Sequence, residues 1–208
     1  MEGSVPRGTS SKKALDENLI QLRAYESILK TQADIKGLLG PRDLEIVWQR
    51  HILNSLPLVE LITENSTLAD IGSGAGLPGI PIAITRPDLK VTLVEPMSRR
   101  VEFLKETIKV LGLKNTEVFH GRAEALFGKR KFDFVTARAV APLKKLVKLS
   151  IPLLKPQGFL LALKGEKANL ELSEALASIN DLGATSLGVV KKGKDIQTEV
   201  SIVVVRAK

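Results

Sequence analysis

The 208-residue sequence is 44% apolar, which is enough to bury the core of one domain without added crosslinks. It contains no cysteine, so disulfides, thiolate metal sites and cysteine nucleophiles are excluded. The net charge of +8 favours a polyanionic partner, and its excess lies in residues 67–208, which hold 23 basic and 14 acidic residues.

The first third of the chain is predicted to be helical. Residues 1–13 are polar, lack the apolar core of a signal peptide and are predicted to form a mobile tail. Apolar residues at helical spacing predict helices over residues 14–30 and 43–62, with a loop around Gly37 and Gly40 between them. No apolar run reaches the roughly 18 residues that a membrane span needs. We therefore expect a cytoplasmic protein with a helical extension over residues 14–66.

Residues 67–208 alternate between strand and helix patterns. Short apolar runs predict strands at 68–71, 91–95, 116–120, 132–137, 158–163, 187–191 and 199–206. Helices are predicted at 78–85, 98–111, 143–154 and 166–180, with Ser98 as the N-cap of the second. This alternation predicts one α/β domain over residues 67–208, built on a largely parallel, doubly wound sheet.

A glycine-rich loop joins the first predicted strand to its helix. The segment 70–79 reads Asp-Ile-Gly-Ser-Gly-Ala-Gly-Leu-Pro-Gly, in which Gly72, Gly74 and Gly76 let the backbone turn sharply and approach a ligand. A nicotinamide-binding oxidoreductase has Gly-x-Gly-x-x-Gly there, but Leu77 stands at its third glycine position. The Gly-x-Gly-x-Gly spacing resembles instead the first motif of class I methyltransferases, whose loop holds the amino-acid end of S-adenosylmethionine.

Two further positions fit a bound nucleoside. Glu95 ends the second predicted strand, 19 residues after Gly76, where a carboxylate can accept hydrogen bonds from ribose hydroxyls. Ala123 and Glu124 follow the third strand, where a small residue leaves room for adenine and polar groups can read its amino edge. Taken alone, Glu95 could be a solvated strand-end acid and residues 122–124 could simply start a helix. The glycine loop favours the cofactor interpretation of both.

Longer segments resemble the RsmG (GidB) family, whose members methylate N7 of a guanine in the decoding region of bacterial small-subunit (16S) ribosomal RNA. The similarity covers roughly residues 35–165. It is carried by the glycine loop with its Leu-Pro-Gly-Ile-Pro extension to residue 81, Arg-Arg-x-x-Phe-Leu at 99–104, Gly-Arg-Ala-Glu at 121–124, Thr-Ala-Arg-Ala at 136–139 and Leu-Lys-Gly at 163–165. Upstream, Arg-His-Ile-Leu-Asn-Ser at 50–55 is similar to the helical signature of the family, with Asn54 in place of its usual aspartate.

The resemblance implies a class I S-adenosylmethionine-dependent methyltransferase fold, Rossmann-like, with a mostly parallel seven-stranded sheet and an N-terminal helical extension. It implies S-adenosylmethionine as the cofactor, with contacts from Gly72, Leu77, Ala123, Glu124 and Arg138. The implied partner is 16S ribosomal RNA or a precursor of the small ribosomal subunit. We expect a monomer that has no metal site and no membrane contact.

Methylation at guanine N7 needs no strong general base, since this nitrogen already presents a lone pair. Arg138 and Lys164 end the fourth and fifth strands, and the carboxyl ends of parallel strands line the ligand crevice of such sheets. We assign both a catalytic role, Arg138 as a donor to the cofactor or to the guanine oxygen and Lys164 as a contact to an RNA phosphate. His51, one of two histidines, has no second metal ligand at helical spacing and is expected to pack or to contact RNA.

Other functions remain open from the sequence. A methyltransferase that acts on another RNA position or on a small molecule would use the same cofactor loop. A nicotinamide-binding oxidoreductase would bind the other cofactor. A non-catalytic RNA-binding protein of this fold would bind ribosomal RNA without transferring a methyl group. Taken alone, Arg138 and Lys164 could each be ordinary surface cations.

Overall fold

A seven-stranded sheet organises the chain, of which the computed structural model describes residues 4–33, 38, 40–138 and 141–208. The strand order is β3-β2-β1-β4-β5-β7-β6. The strands are β1 Thr67–Ile71, β2 Lys90–Glu95, β3 Thr116–His120, β4 Phe132–Arg138, β5 Leu154–Lys164, β6 Ala184–Lys192 and β7 Val200–Ala207. Strands β1 to β5 pair in parallel, and β7 runs antiparallel to both β5 and β6. The predicted mostly parallel, doubly wound sheet is confirmed.

Helices cover both faces of the sheet. They are α1 Ser11–Ile28, α2 Pro41–Glu45, α3 Gly79–Thr85, α4 Ser98–Leu111, α5 Leu143–Ser150 and α6 Ala168–Asp181. Because strand side chains alternate between faces, the core divides into two apolar clusters. Leu68 packs in the cluster with α1, α3 and α4, whereas the neighbouring Ala69 packs in the cluster with α5 and α6.

The prediction of one α-helix over residues 43–62 is wrong. After α2 the chain forms a π-helical segment, Val47–Ile52, and then a 3₁₀ helix, Leu53–Leu61. Pro57 lies inside this 3₁₀ helix. A proline lacks the backbone N–H that an α-helix interior needs, and its ring clashes with the preceding turn. The segment is nevertheless buried along most of its length, so it forms part of the core.

The described part of the predicted tail lies against the folded chain. Helix α1 begins at Ser11, three residues before the predicted start, with Ser10 as its N-cap. The Gly8 N–H donates to the Glu60 carbonyl oxygen at 2.7 Å, and the Ser11 hydroxyl donates to the Glu60 carboxylate at 2.5 Å. These contacts hold the start of the chain on the 3₁₀ helix.

Two element ends differ from their predictions. Helix α5 ends at Ser150 instead of residue 154, because a 3₁₀ turn that contains Pro152 leads directly into β5. Ser98 is the first residue of α4 instead of its N-cap; Met97 holds the cap position, and no side chain caps the helix.

The carboxyl ends of the parallel strands meet at one edge of the sheet. Ile71, Glu95, His120, Arg138 and Lys164 are the last residues of β1 to β5. The loops that follow these strands therefore surround a common space. Gly37 and Ala139, named above in the loop and in the Arg-Ala motif, lie outside the described residues.

Candidate active site

The glycine loop after β1 is held in place by its neighbours. The Gly72 and Ser73 N–H groups donate to the Val94 carbonyl oxygen of β2 at 2.8 and 3.2 Å. Gly76 has a φ of 95°, and a Cβ there would overlap the Ile80 side chain. Only glycine combines this left-handed conformation with so little space, so the sequence requirement at this position is steric.

Helix α1 supports the same loop from the N-terminal side. The buried Tyr25 hydroxyl donates to the Ala75 carbonyl oxygen at 2.6 Å. Burial raises the pKa of Tyr25 well above its ordinary value, so the phenol keeps its proton and remains a donor. The N-terminal extension is therefore part of the loop's support.

Asp70 is fully buried at the base of the loop. Its Oδ2 accepts the Gly79 N–H at 3.0 Å, which fixes the start of α3 relative to β1. Its Oδ1 has no hydrogen-bond partner among the described residues. Burial raises the pKa of Asp70 to about 7, although the Gly79 hydrogen bond and the charge of Arg138 act to lower it.

Glu95 braces the glycine loop. Its side chain is 1% exposed, its Oε2 accepts the Gly74 N–H at 2.9 Å and its Oε1 accepts the Met97 N–H at 3.0 Å. The guanidinium of Arg100 lies 3.9 Å away. Glu95 is therefore not a solvated acid, and in this structure its carboxylate binds loop backbone. Each oxygen retains capacity for one more donor.

A small cavity of about 160 Å³ adjoins this loop. It brings together the predicted residues Gly72, Ala123 and Glu124, with Val94 and Pro96 on either side of Glu95. Its other described lining residues are Ile71, Gly121, Arg122, Ala141, Lys145 and Leu149. A short 3₁₀ helix begins at Ala123, so residues 122–124 start a helix and line the cavity at the same time.

A larger cleft of about 1100 Å³ lies on the other side of Ala141, which lines both spaces. Its described lining residues are Asp43, Arg50, His51, Asn54, Arg138, Ala141, Pro142, Leu163, Lys164, Gly165, Lys167, Glu171 and Val200. Four of them are basic and two are acidic. The cleft therefore joins the ends of β4 and β5 to the N-terminal helical segments.

Arg138 points into this cleft from the end of β4. Its Nη1 donates to His51 Nδ1 at 3.0 Å, and His51 Nε2 lies 3.2 Å from Asp43 Oδ1. Burial lowers the pKa of Arg138, while the nearby Tyr25 and Asp70 act to raise it. The sequence placed Arg138 correctly at the edge of the sheet but missed its contact with His51 and the contact of His51 with Asp43. The only sequence signal for them was their place in the upstream helical segment.

Lys164 is largely committed to the protein itself. Its side chain is 9% exposed, and its Nζ donates to the Ala141 carbonyl oxygen at 2.9 Å and to Glu171 Oε2 at 2.8 Å. The same carboxylate oxygen accepts the Leu143 N–H at 2.9 Å. Burial acts to raise the pKa of Glu171, but the hydrogen bonds from Lys164 and from the Leu143 N–H, together with the charge of Lys164, outweigh it and lower that pKa overall. Lys164 thus fixes Ala141 directly and the start of α5 through Glu171, with one ammonium donor left over.

Leu77 and the remaining glycine of the predicted set belong to the loop itself. Leu77 is 4% exposed and packs in the core beside Ile80, and Gly74 uses its N–H for Glu95. Among residues 4–33, 38, 40–138 and 141–208, no cluster of three metal-ligating side chains occurs. None of the described helices has the length and apolar character needed to cross a membrane.

Comparisons with known proteins agree with this architecture. The family model described as rRNA small subunit methyltransferase G (GidB) matches residues 18–201. Proteins named Ribosomal RNA small subunit methyltransferase G are 42% identical in Streptomyces avermitilis, over 96% of this chain and 84% of that protein, and 46% identical in Mycolicibacterium smegmatis, over 92% and 83%. A SAM-dependent methyltransferase from Aquifex aeolicus has a similar fold, with a TM-score of 0.57 at 22% identity over 85% of this chain and 98% of that one.

Proposed function

The chain belongs to the rRNA small subunit methyltransferase G (GidB) family, and from this premise we propose that it transfers a methyl group from S-adenosylmethionine to N7 of a guanine in small-subunit (16S) ribosomal RNA. The observation that carries the proposal is the adjacency of two spaces at Ala141. One is the small cavity beside the glycine loop, and the other is the basic cleft that contains Arg138. A substrate bound in the cleft would face a cofactor held by the loop.

The residues around the small cavity fit the cofactor. Apolar Ile71, Val94 and Ala123 suit an adenine ring, and Glu124 supplies a polar group beside it. The glycine loop brings backbone close to the same space, and the orphaned Oδ1 of Asp70 at its base is an acceptor that suits a cationic group. S-adenosylmethionine supplies a methyl group on a positively charged sulfur.

To bind the ribose hydroxyls, the carboxylate oxygens of Glu95 must accept hydrogen bonds in addition to those from the backbone. Both of its oxygens accept one backbone N–H, and each has a second lone pair. We propose that it holds the loop and the ribose together, so that its loss would affect both the loop and cofactor affinity.

The cleft suits an RNA substrate. Arg50, Arg138, Lys164 and Lys167 line it, and cations of this kind contact phosphates. Arginine also matches the O6 edge of guanine, which lies beside N7. We therefore propose that Arg138 contacts the target base and that Arg50 and Lys167 contact the RNA backbone.

Catalysis at N7 depends on alignment. The lone pair of N7 is free to attack, so the protein need not remove a proton before methyl transfer. The two carboxylates that line the described part of the cleft are already engaged, Asp43 with His51 and Glu171 with Lys164. The residues present therefore serve to position the base and to exclude other orientations. The proposed substrate and the absence of a membrane-spanning helix among the described residues favour a cytoplasmic protein.

The test is methyl transfer from labelled S-adenosylmethionine to ribosomal RNA that lacks the modification, offered as free 16S RNA, as a precursor particle and as the small subunit. We expect one labelled guanine, located as 7-methylguanine by chemical cleavage and reverse transcription. Label at another nucleotide, label in a metabolite only, or RNA binding without transfer would each refute the proposed reaction and identify the alternative that replaces it.

A further inference from the structure

Asp43, His51 and Arg138 form a hydrogen-bonded chain between the N-terminal helical segments and β4. Arg138 Nη1 lies 3.0 Å from His51 Nδ1, and His51 Nε2 lies 3.2 Å from Asp43 Oδ1. The His51 side chain is 12% exposed, and that of Asp43 is 48% exposed. The imidazole is thus enclosed between a cation on β4 and an acid on α2, and all three groups line the cleft.

The hydrogen-bond directions determine the protonation of His51. A guanidinium has only donors, so Nδ1 must accept from Arg138 and carries no proton. The proton of the neutral ring is therefore on Nε2, which donates to the Asp43 carboxylate. A second proton on Nδ1 would remove the acceptor and place two cations in direct contact.

The charges around His51 favour this neutral form. Arg138 faces it from β4, Arg50 lies on its own segment, and Asp43 faces it from α2. Across the cleft stand Lys164 and Lys167, with Glu171 paired to Lys164. Burial and then the charge of Arg138 lower the pKa of His51, and together they outweigh the hydrogen bond from Asp43, which acts to raise it.

We propose that His51 is a positioning residue that orients the guanidinium of Arg138 in the cleft, and that it can do so only while its ring is neutral. The role rests on the methyl transfer proposed above, because Arg138 is the group assigned to the target base. Arg138 has several rotatable bonds, and the Nδ1 acceptor selects one direction for its planar donor fork. At low pH, protonation of His51 at Nδ1 would remove this acceptor. The guanidinium of Arg138 would then lose its fixed direction, and methyl transfer would slow.

Two amide substitutions of His51 test the roles of its two ring nitrogens separately. In His51→Asn the amide oxygen is bonded to Cγ, as Nδ1 is, so it can accept from Arg138 but cannot ionise. In His51→Gln the amide lies one bond further out, within reach of Asp43, and leaves no acceptor at the Nδ1 position. We expect His51→Asn to keep kcat within about threefold of the unmodified protein at pH 8, and His51→Gln to lose about 10- to 100-fold.

The pH profile is the readout that a merely structural role would not change. The kcat of the unmodified protein should fall on acidification below the ordinary histidine pKa of about 6.5, and His51→Asn should lack this acid limb. The control is His120→Gln, which removes the other histidine, at the end of β3 and outside the cleft. It should keep both the rate and the acid limb.

Nitrogen-15 NMR of the two imidazoles tests the same proposal without any turnover. We expect the spectrum to show His51 as the Nε2–H tautomer. The substitution Arg138→Gln should shift the Nδ1 resonance of His51 and raise the pKa of His51. An unmodified protein that methylates no RNA would refute the proposed function, while the NMR result would still decide the role of His51. A proton found on Nδ1, an acid limb retained in His51→Asn, or equal rates in the Asn and Gln variants would overturn the positioning role.

Discussion

Arg138 is a half-buried cation held by groups from both parts of the chain. His51 accepts its hydrogen bond from the N-terminal segments, and the carboxyl group of Asp70 and the phenol of Tyr25 lie near enough to affect its pKa. A guanidinium remains charged even where burial lowers its pKa. Where such a charge is partly shielded from water, it interacts more strongly with a bound base or phosphate than it would in free solution.

Replacing Arg138 with alanine should abolish most methyl transfer while the fold survives. We expect kcat/KM to fall by at least about 100-fold, because the charged donor that we propose for the target base is lost. The matched control is Arg130→Ala, which removes an arginine that binds Glu117 at the opposite edge of the sheet. Near-normal turnover of the Arg138 variant, in a protein with an unchanged circular dichroism spectrum, would remove Arg138 from the mechanism.

The raised pKa of Asp70 predicts an unusual dependence of the free energy of unfolding on pH. Its pKa is 3.8 in the ordinary state and about 7 when folded, so between these values the folded chain holds a proton that the unfolded chain has released. The free energy of unfolding should therefore decrease as pH rises from about 4 to about 7, by an amount on the order of 4 kcal/mol from this group. Asp70→Asn should remove this contribution, as measured by urea unfolding across that range.

Asp133 provides a control of opposite sign. Burial acts to raise its pKa, but hydrogen bonds from Thr67 and Lys155 lower it overall. Asp133→Asn should therefore cost stability at neutral pH, and the loss should vanish as pH falls through the acid range. If both variants changed the pH profile in the same direction, the assignment for Asp70 would be wrong.

At the scale of single elements, Ala141, just before α5, lies between the two spaces. Ala141 lines both, and Lys164 and Glu171 fix it and the start of α5 through three hydrogen bonds. Lys164 at the end of β5 and Glu171 on α6 thus hold Ala141 between the predicted cofactor and substrate sites.

Replacing Lys164 with methionine should make Ala141 and the start of α5 more mobile. The change keeps the apolar stem but removes the ammonium, so we expect a loss of about 1–3 kcal/mol in stability and faster hydrogen exchange at residues 141–145. We also expect kcat/KM to fall about tenfold through misalignment. Lys191→Met is the control, because it removes a lysine paired with Glu199 on the exposed β6–β7 hairpin. Unchanged hydrogen exchange at residues 141–145 in the Lys164 variant would show that Lys164 does not hold this segment in place.

The elements were predictable to different extents. The strands of residues 67–208 could be assigned because a short apolar run between turn residues fits few secondary structures other than a buried strand. The segment 43–62 could not, because its apolar residues suit an α-helix while Pro57 and the demands of packing impose tighter and wider turns. The end of α5 was predicted wrongly for a related reason, because Pro152 lies in the 3₁₀ turn that replaces the last turn of the predicted helix. At the start of α4, the serine at 98 suggested an N-cap, but the preceding Met97 holds that position without a side-chain cap.

At the scale of the whole molecule, sheet topology explains why part of the site could be predicted. Any residue that ends a parallel strand must reach the same edge, so Arg138 and Lys164 could be placed there from chain order alone. The contact of His51 with Arg138 depends on how the N-terminal extension lies across that edge, and no periodicity encodes this. The two backbone bonds of Glu95 depend on loop coordinates in the same way.

The basic residues that line the cleft predict salt-dependent RNA binding. Arg50→Gln combined with Lys167→Gln should reduce the slope of log K against log salt by about 1.4 to 1.8, since each lost phosphate contact removes 0.7 to 0.9. The control pair is Lys90→Gln with Lys114→Gln, which removes the same charge from the opposite edge of the sheet. Equal slopes for the two double variants, measured by filter binding, would show that the cleft does not carry the phosphate contacts.

The position of β7 between β5 and β6 also bears on how the chain is made. The last described strand in sequence is an interior strand, and β6 pairs with it alone. While residues 200–207 are still inside the exit tunnel, β6 has no partner and β5 presents an open edge. Nascent chains stalled before this strand should therefore bind chaperones, and native protease resistance should arise only after it emerges.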